Sequence, residues 1–244
     1  MKWRFIYRGL RARFRDQNLE ITALINHLKE DDVAIDVGAN KGSYLWALSK
    51  AVPKGKVIAF EPQKKLCDYL RKVCPLAGLH NVEVHAMGVS DASSILTLAI
   101  PGGADTSPGA SFEHAVKTRE VCQTIEVQTV TLDEFFKDEA SRIGAIKIDV
   151  EGHELAVLMG AKKLIAQHQP VIVCESERRH MTGKNVSHVF ETMAELNYNG
   201  YFRYQGKNLS VTEFNSAIHQ SETGERFWDS PDYCNNFIFK PKNK

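Results

Sequence analysis

The sequence predicts a doubly wound α/β domain whose sheet is mainly parallel and covered on both faces. Three observations lead there. Short apolar runs alternate with amphipathic helical segments along most of the chain. The runs VAIDVG, KVIAF, GAIKIDV and PVIVC are almost continuously apolar, as suits strands buried on two sides. A glycine-bearing loop follows the first strand and an acid follows the second, at the strand ends where such sheets bind ligands.

In chain order, Leu19, Leu24, Ile25 and Leu28 place an amphipathic helix over about 17–29. Val33–Gly38 reads as a buried strand running into the glycine loop, and Ser43–Ala51 as the helix after it. Lys56–Phe60 is the second strand, with Glu61 at its end; a helix follows over about 63–73, then a third strand over Val82–Met87. Gly144–Val150 and Pro170–Cys174 are two further parallel strands, separated by a helix over His153–Gln167. A helix over Val186–Leu196 precedes Tyr201–Tyr204 and Asn236–Phe239, which close the sheet.

More than 50 residues between the third strand and Gly144 break this rhythm. Ile95–Ile100 and Thr124–Val130 alternate like strands, and Pro101–Val121 between them is rich in Gly, Pro, Ser and Ala. Thr131–Lys137 reads as a short helix capped by Thr131 or Asp133. The expectation is a β-hairpin insertion over about 92–131. Its tip is either a mobile lid that closes when an acceptor binds or a disordered surface loop.

Composition narrows the setting. No run reaches the roughly 20 apolar residues of a bilayer span, and no apolar stretch follows the basic N-terminus as a secretory signal requires. The five cysteines, Cys67, Cys74, Cys122, Cys174 and Cys234, are odd in number and contain no C-x-x-C pair. Reduced thiols in the cytoplasm are expected, without a disulfide framework or structural zinc. The net charge of +1 makes no case for nucleic acid. Six of the 31 basic side chains (Lys2, Arg4, Arg8, Arg11, Arg13, Arg15) fall within residues 1–15, which hold none of the 30 acidic ones. Trp3, Ile6, Tyr7, Leu10 and Phe14 lie there at helical spacing, with Arg4, Arg8, Arg11 and Arg15 filling much of the remainder. That pattern fits an interfacial helix resting on anionic lipid at the inner face of a membrane, and it equally fits a helix docked on the domain. Residues 1–30 are therefore assigned to a basic, amphipathic helical extension and 31–244 to the main domain.

The loop after the first strand reads Asp36-Val37-Gly38-Ala39-Asn40-Lys41-Gly42. A dinucleotide site wants G-x-G-x-x-G, and Asn40 stands where the second glycine would admit a pyrophosphate. Asp36 would repel a pyrophosphate but suits a ligand carrying ammonium and sulfonium groups, as S-adenosylmethionine does. Glu61, 19 residues after Gly42, can accept hydrogen bonds from ribose hydroxyls.

These pieces resemble the FkbM family of class I S-adenosylmethionine-dependent methyltransferases. The similarity rests on AIDVGANKGSY (34–44), VIAFEPQ (57–63), HAMGVSD (85–91), VQTVTLDEF (127–135) and IKIDVEGHELAVLMGA (146–161), with CNNFIFKP fitting the closing strand. The resemblance implies a Rossmann-like, seven-stranded sheet with its last strand antiparallel, so that 31–244 forms a methyltransferase domain using S-adenosylmethionine. Asp36, Gly38, Asn40 and Gly42 would then line the methionine end. Glu61 would hold the ribose, and Gly88, Ser90 and Asp91 would lie near the adenine. The resemblance also implies O-methylation of a hydroxyl on a small molecule, sugar or polyketide-like acceptor.

Methyl transfer to an alcohol needs in-line placement and a means of removing the proton. Lys147 and Asp149 share a strand face and are costly in so apolar a run unless paired. Asp149 is the first choice for a base, flanked by Glu151 and His153; the next strand delivers Glu175, then Glu177 and His180. Glu177, Arg178 and Arg179 read as a solvated turn, and His153 as a residue that caps or packs at a helix start. Asp149, Glu151 and Glu175 could offer oxygens to a divalent metal, but their spacing is not diagnostic and no metal ligand is assigned. The competing readings are a nicotinamide-dependent oxidoreductase and a non-catalytic adenosyl-ligand binding protein on the same fold.

Overall fold

Every residue of Val33–Val37 and of Ile143–Ile148 is buried, and these two strands lie side by side at the centre of the main sheet. The computed structural model describes residues 1–102, 105–113, 122–181, 183 and 185–242. In chain order the elements are α1 (Lys2–Arg11), α2 (Asn18–Ile25), β1 (Val33–Val37), α3 (Leu45–Ala51), β2 (Lys56–Phe60), α4 (Lys64–Leu76), β3 (Val82–His85), β4 (Gly88–Val89), β5 (Ile95–Pro101) and β6 (Cys122–Val130). There follow α5 (Leu132–Phe135), β7 (Ile143–Ile148), α6 (Glu154–Met159), α7 (Lys162–His168), β8 (Val171–Glu175), α8 (Val186–Glu195), β9 (Tyr198–Tyr204), β10 (Lys207–Ser210), α9 (Ser216–His219) and β11 (Asn236–Pro241).

The main sheet has the order β10-β9-β11-β8-β7-β1-β2-β3. From β3 to β8 neighbouring strands are parallel; β11 is antiparallel to both β8 and β9. This is the mainly parallel, doubly wound sheet expected, and the short β10 adds an eighth strand beyond the seven, pairing antiparallel with β9. Alternation sorts the central side chains between two cores. Val33, Ile35 and Val37 join the core under α6–α8, while Ala34, Ala145, Val171 and Val173 join the one under α1–α4. Asp36, Lys147, Asp149 and Glu175 therefore continue the second face towards the carboxyl ends.

The expected insertion is a hairpin, β5 antiparallel to β6, with β4 parallel to β6 in a separate three-stranded sheet. Of its tip, 103–104 and 114–121 lie outside the described residues, so the lid reading is taken up only for 105–113. The helix expected over His153–Gln167 is two helices, α6 and α7. The break falls at Gly160, where a Cβ would come within 2.1 Å of the Ser90 carbonyl, so only glycine lets that loop pack there.

Helix α1 docks on the domain, but not by its aromatic stripe. Phe5, Gly9 and Ala12 are buried, whereas Trp3, Tyr7 and Phe14 face solvent. A Cβ at Gly9 would lie 2.6 Å from the Trp46 Cβ, so the docked face combines a buried ring, Phe5, with a small residue that lets Trp46 approach. Among the described residues no helix is long and apolar enough to cross a membrane.

Candidate active site

The loop leaving β1 turns through three left-handed residues, Gly38 (φ 76°), Asn40 (φ 48°) and Gly42 (φ 76°). Glycine adopts this conformation freely and asparagine tolerates it. Gly38 is required for a second reason: a Cβ there would sit 1.9 Å from the Asp149 carbonyl oxygen, so the β1 and β7 exits cross in contact. Glu61, at the end of β2, ties this loop down. Its Oε2 accepts from the Asn40 N–H at 2.7 Å and its Oε1 from the Gln63 N–H at 2.9 Å. Burial lifts the Glu61 carboxyl to about 7, against the lowering effect of those two N–H groups. Each carboxylate oxygen keeps lone-pair capacity for a further donor.

These strand ends enclose one cavity. Gly38, Asn40, Glu61, Gly88, Asp149 and Glu151 contribute to its wall, uniting six of the eleven residues singled out from the sequence. The other five are placed elsewhere. Asp36 is fully buried behind the wall, 3.1 Å from Lys147 Nζ, and burial raises its carboxyl above the usual range. Gly42 faces the core, where a Cβ would strike Phe5 and Leu70. Ser90 is buried and hydrogen-bonds His153 Nε2 at 2.9 Å. Asp91 is exposed on the far side of that loop. Glu175 stands at the end of β8, held by Asn235 Nδ2 at 2.7 Å.

A polar network surrounds Asp149. Lys147 donates to the Gly38 carbonyl at 2.7 Å and lies 3.5 Å from Asp149 Oδ2. Although burial works against its charge, Asp36 and Asp149 carry the Lys147 ammonium above its ordinary range. Glu151 takes up a left-handed backbone (φ 54°) and pairs with His180 Nδ1 at 2.9 Å. Burial, then the carboxylates of Asp149, Glu151 and Glu177, hold Glu175 well above the usual range. Asp149 thus lies on the cavity wall with the Lys147 cation beside it, while Glu175 stands off the wall among other carboxylates. No three His, Cys, Asp or Glu side chains converge as metal ligands among the described residues.

Three features escaped sequence reasoning. Glu177 is not on a solvated turn. It is buried, accepts two hydrogen bonds from the Arg179 guanidinium and one from Tyr233 OH at 2.8 Å. Glu154 is buried at the start of α6, where Oε1 accepts from the N–H groups of Gly152 and Val150 and so shapes the turn carrying Glu151. The capping-like position of this acid before an apolar run was its available signal. Third, residues 105–113 roof the cavity. Gln63 and Ser107 exchange two hydrogen bonds, Ser111 Oγ donates to the Glu151 carbonyl at 2.6 Å, and Phe112 packs on His153, whose Nδ1 bonds Glu113. Under Pro108, Ala110 and Phe112 the free volume is about 40 Å³. That is far below the roughly 300 Å³ of an ordinary ligand site.

Residues 36–201 match the model of the methyltransferase FkbM domain, more than half of the chain. The chain belongs to the FkbM methyltransferase family. It is 30% identical over 181 residues to the hexuronic acid methyltransferase AglP of Haloferax volcanii, covering 68% of this chain and 70% of that one. It is 28% identical over 182 residues to the methyltransferase sdnD of Sordaria araneosa, covering 64% and 68%. In fold it is similar to an FkbM methyltransferase from Methylobacillus flagellatus (TM-score 0.50, 17% identity), over 88% of this chain and 45% of that one. It is also similar to a Streptococcus mutans methyltransferase solved with SAH (TM-score 0.52, 15% identity), over 93% and 97%. Family membership decides against the oxidoreductase reading.

Proposed function

We propose that this FkbM methyltransferase transfers a methyl group from S-adenosylmethionine to a hydroxyl oxygen of a sugar-type acceptor, with Asp149 as the base. The observation carrying the proposal is the meeting of Gly38, Asn40, Glu61 and Asp149 around one cavity at the carboxyl ends of β1, β2 and β7. The donor set fits the cofactor. Glu61 presents acceptor oxygens for ribose hydroxyls, Gly38 gives close backbone approach, and among the described residues no cationic side chain lines the wall to ask for a phosphate. The bound cofactor supplies an electrophilic methyl group on sulfur. Glu61 and the 38–42 loop orient it, and the 105–113 roof must shift to admit it and then excludes water.

The acceptor side lies towards β8 and β11. From Asn235, which holds Glu175, a groove of about 970 Å³ runs beside α2, lined among others by Asn18, Arg203, Tyr201, Trp228 and Asn236. Aromatic faces beside amides and a guanidinium suit a polyhydroxylated ring. The name of the Haloferax relative supports a sugar acid as first acceptor to try. A hydroxyl requires proton removal in the transition state, and in this reading Asp149, on the cavity wall with Lys147 Nζ 3.5 Å away, is the group that accepts it. Facing acids make a neutral hydroxyl a better acceptor there than a carboxylate. The buried thiols of Cys67, Cys74, Cys174 and Cys234 support a reducing, cytoplasmic setting.

The test is S-adenosylhomocysteine formation with glucuronides and neutral glycosides as acceptors, and mass spectrometry of the product. A methyl ether on a sugar hydroxyl is the expected product. A methyl ester, or transfer only to nitrogen or carbon acceptors, would overturn the hydroxyl reading.

A further inference from the structure

The geometry points to the outward face of α1 as a docking surface for an anionic phospholipid bilayer. Four large apolar side chains face solvent within fourteen residues: Met1 (59% exposed), Trp3 (76%), Tyr7 (65%) and Phe14 (67%). Their exposure is not a consequence of an undocked helix. Phe5, Gly9 and Ala12 fix α1 to the domain, and Arg8 Nη1 donates to the Lys41 carbonyl at 3.0 Å. These contacts hold the helix with its aromatic stripe outward.

Charge says what covers this face. Residues 1–15 hold six cations and no acid, and the first acid, Asp16, pairs with Arg11 and Arg15. Cations and rings are interleaved at one level: Lys2 Nζ lies 5.5 Å from the Trp3 ring centre and the Arg13 guanidinium 5.3 Å from that of Phe14. Beside Tyr7, a concave site of about 470 Å³ is lined by Arg4, Arg8 and Arg11 together with Ser43 and Asp16. Guanidinium groups in a hollow suit phosphate oxygens, and tryptophan and tyrosine suit the depth of lipid head groups. A bilayer carrying anionic phospholipid offers both chemistries at once, phosphate for the hollow and acyl-chain boundary for the stripe. A second copy docking symmetrically by this face would set the same six cations against each other.

The experiment is flotation of the full chain with phosphatidylglycerol–phosphatidylcholine vesicles and with pure phosphatidylcholine vesicles, at low and high salt. The wild type should float with the anionic vesicles at low salt, and much less with phosphatidylcholine or at high salt. Trp3→Ala/Tyr7→Ala/Phe14→Ala should lower partitioning by about tenfold or more, and Arg4→Glu should also lower it. Both variants should keep the wild-type melting temperature, since none of these side chains is buried. Failure of the wild type to float overturns the proposal. So does unchanged binding by the aromatic variant, which would leave only charge attraction, or concentration-dependent dimerisation through this face in sedimentation without vesicle binding. None of these readouts depends on the cofactor or acceptor assignment.

Discussion

At the residue scale, substitutions at Asp149 and Glu154 separate chemistry from stability. Asp149→Asn keeps shape and removes charge. Once an acceptor is in hand, turnover should fall about 100-fold or more, the usual scale for a positioned base, with melting temperature and cofactor affinity retained. A structural role in the Asp36–Lys147–Asp149 cluster would instead lower the melting temperature and leave turnover per folded molecule nearly intact. Glu154 gives a pH prediction. Its Oε1 serves two N–H groups, its Oε2 has no partner among the described residues, and burial lifts it to about 8. A carboxyl with a raised folded-state pKa binds its proton more tightly folded than unfolded, so its stability contribution is whole below about 4.5 and declines as pH rises through 8. Glu154→Gln keeps the amide oxygen for both N–H groups and removes that titration. Thermal melts from pH 6 to 9 should show the variant gaining on the wild type with rising pH; parallel curves would mean Glu154 does not titrate as described. Asp149 and Glu61 were legible from sequence because each ends a strand in a motif. Glu177 was not, because Tyr233, which buries it, lies 56 residues away and no local pattern announces it.

At the element scale, two segments show where periodicity stops informing. The hairpin β5–β6 was readable from alternation, but not the path of 105–113 across the cavity, because Gln63–Ser107 and Ser111–Glu151 are long-range polar contacts. Helix α1 was readable as amphipathic, yet the face it buries holds Phe5, Gly9 and Ala12, where small residues let Trp46 approach. The roof makes a kinetic prediction. A binding-competent state that must open loses apparent affinity by its fractional population. Ser111→Ala combined with Phe112→Ala removes the hydrogen bond that ties the roof to the Glu151 carbonyl, a second one within the roof from the Glu113 N–H, and the ring lying over Gly88 and His153. Stopped-flow association of S-adenosylhomocysteine should quicken by about 30-fold, on about 1 kcal/mol for the hydrogen bond to Glu151 and a comparable contact term. An unchanged rate would mean that 105–113 does not gate the cavity.

At the scale of the whole molecule, the positions of the central strands were largely legible because buried parallel strands carry continuous apolar runs, and β1, β2, β7 and β8 all do. The eighth strand was not: Lys207–Ser210 is half exposed and lacks that signal. The sheet brings Gly38, Asn40, Glu61 and Asp149, which span more than 100 residues of chain, to one wall, and the central claim is that this wall holds the adenosyl cofactor. Titration calorimetry at pH 8 tests it most directly, with S-adenosylhomocysteine and NAD titrated into the wild type, Glu61→Ala and Glu61→Gln, each checked for its folded melting transition. The account predicts that the wild type binds S-adenosylhomocysteine and binds NAD poorly, and that both folded variants bind S-adenosylhomocysteine at least about tenfold more weakly, the cost of losing a hydrogen bond to a charged acceptor. Equal affinity in wild type and variants, or preference for NAD, would contradict it.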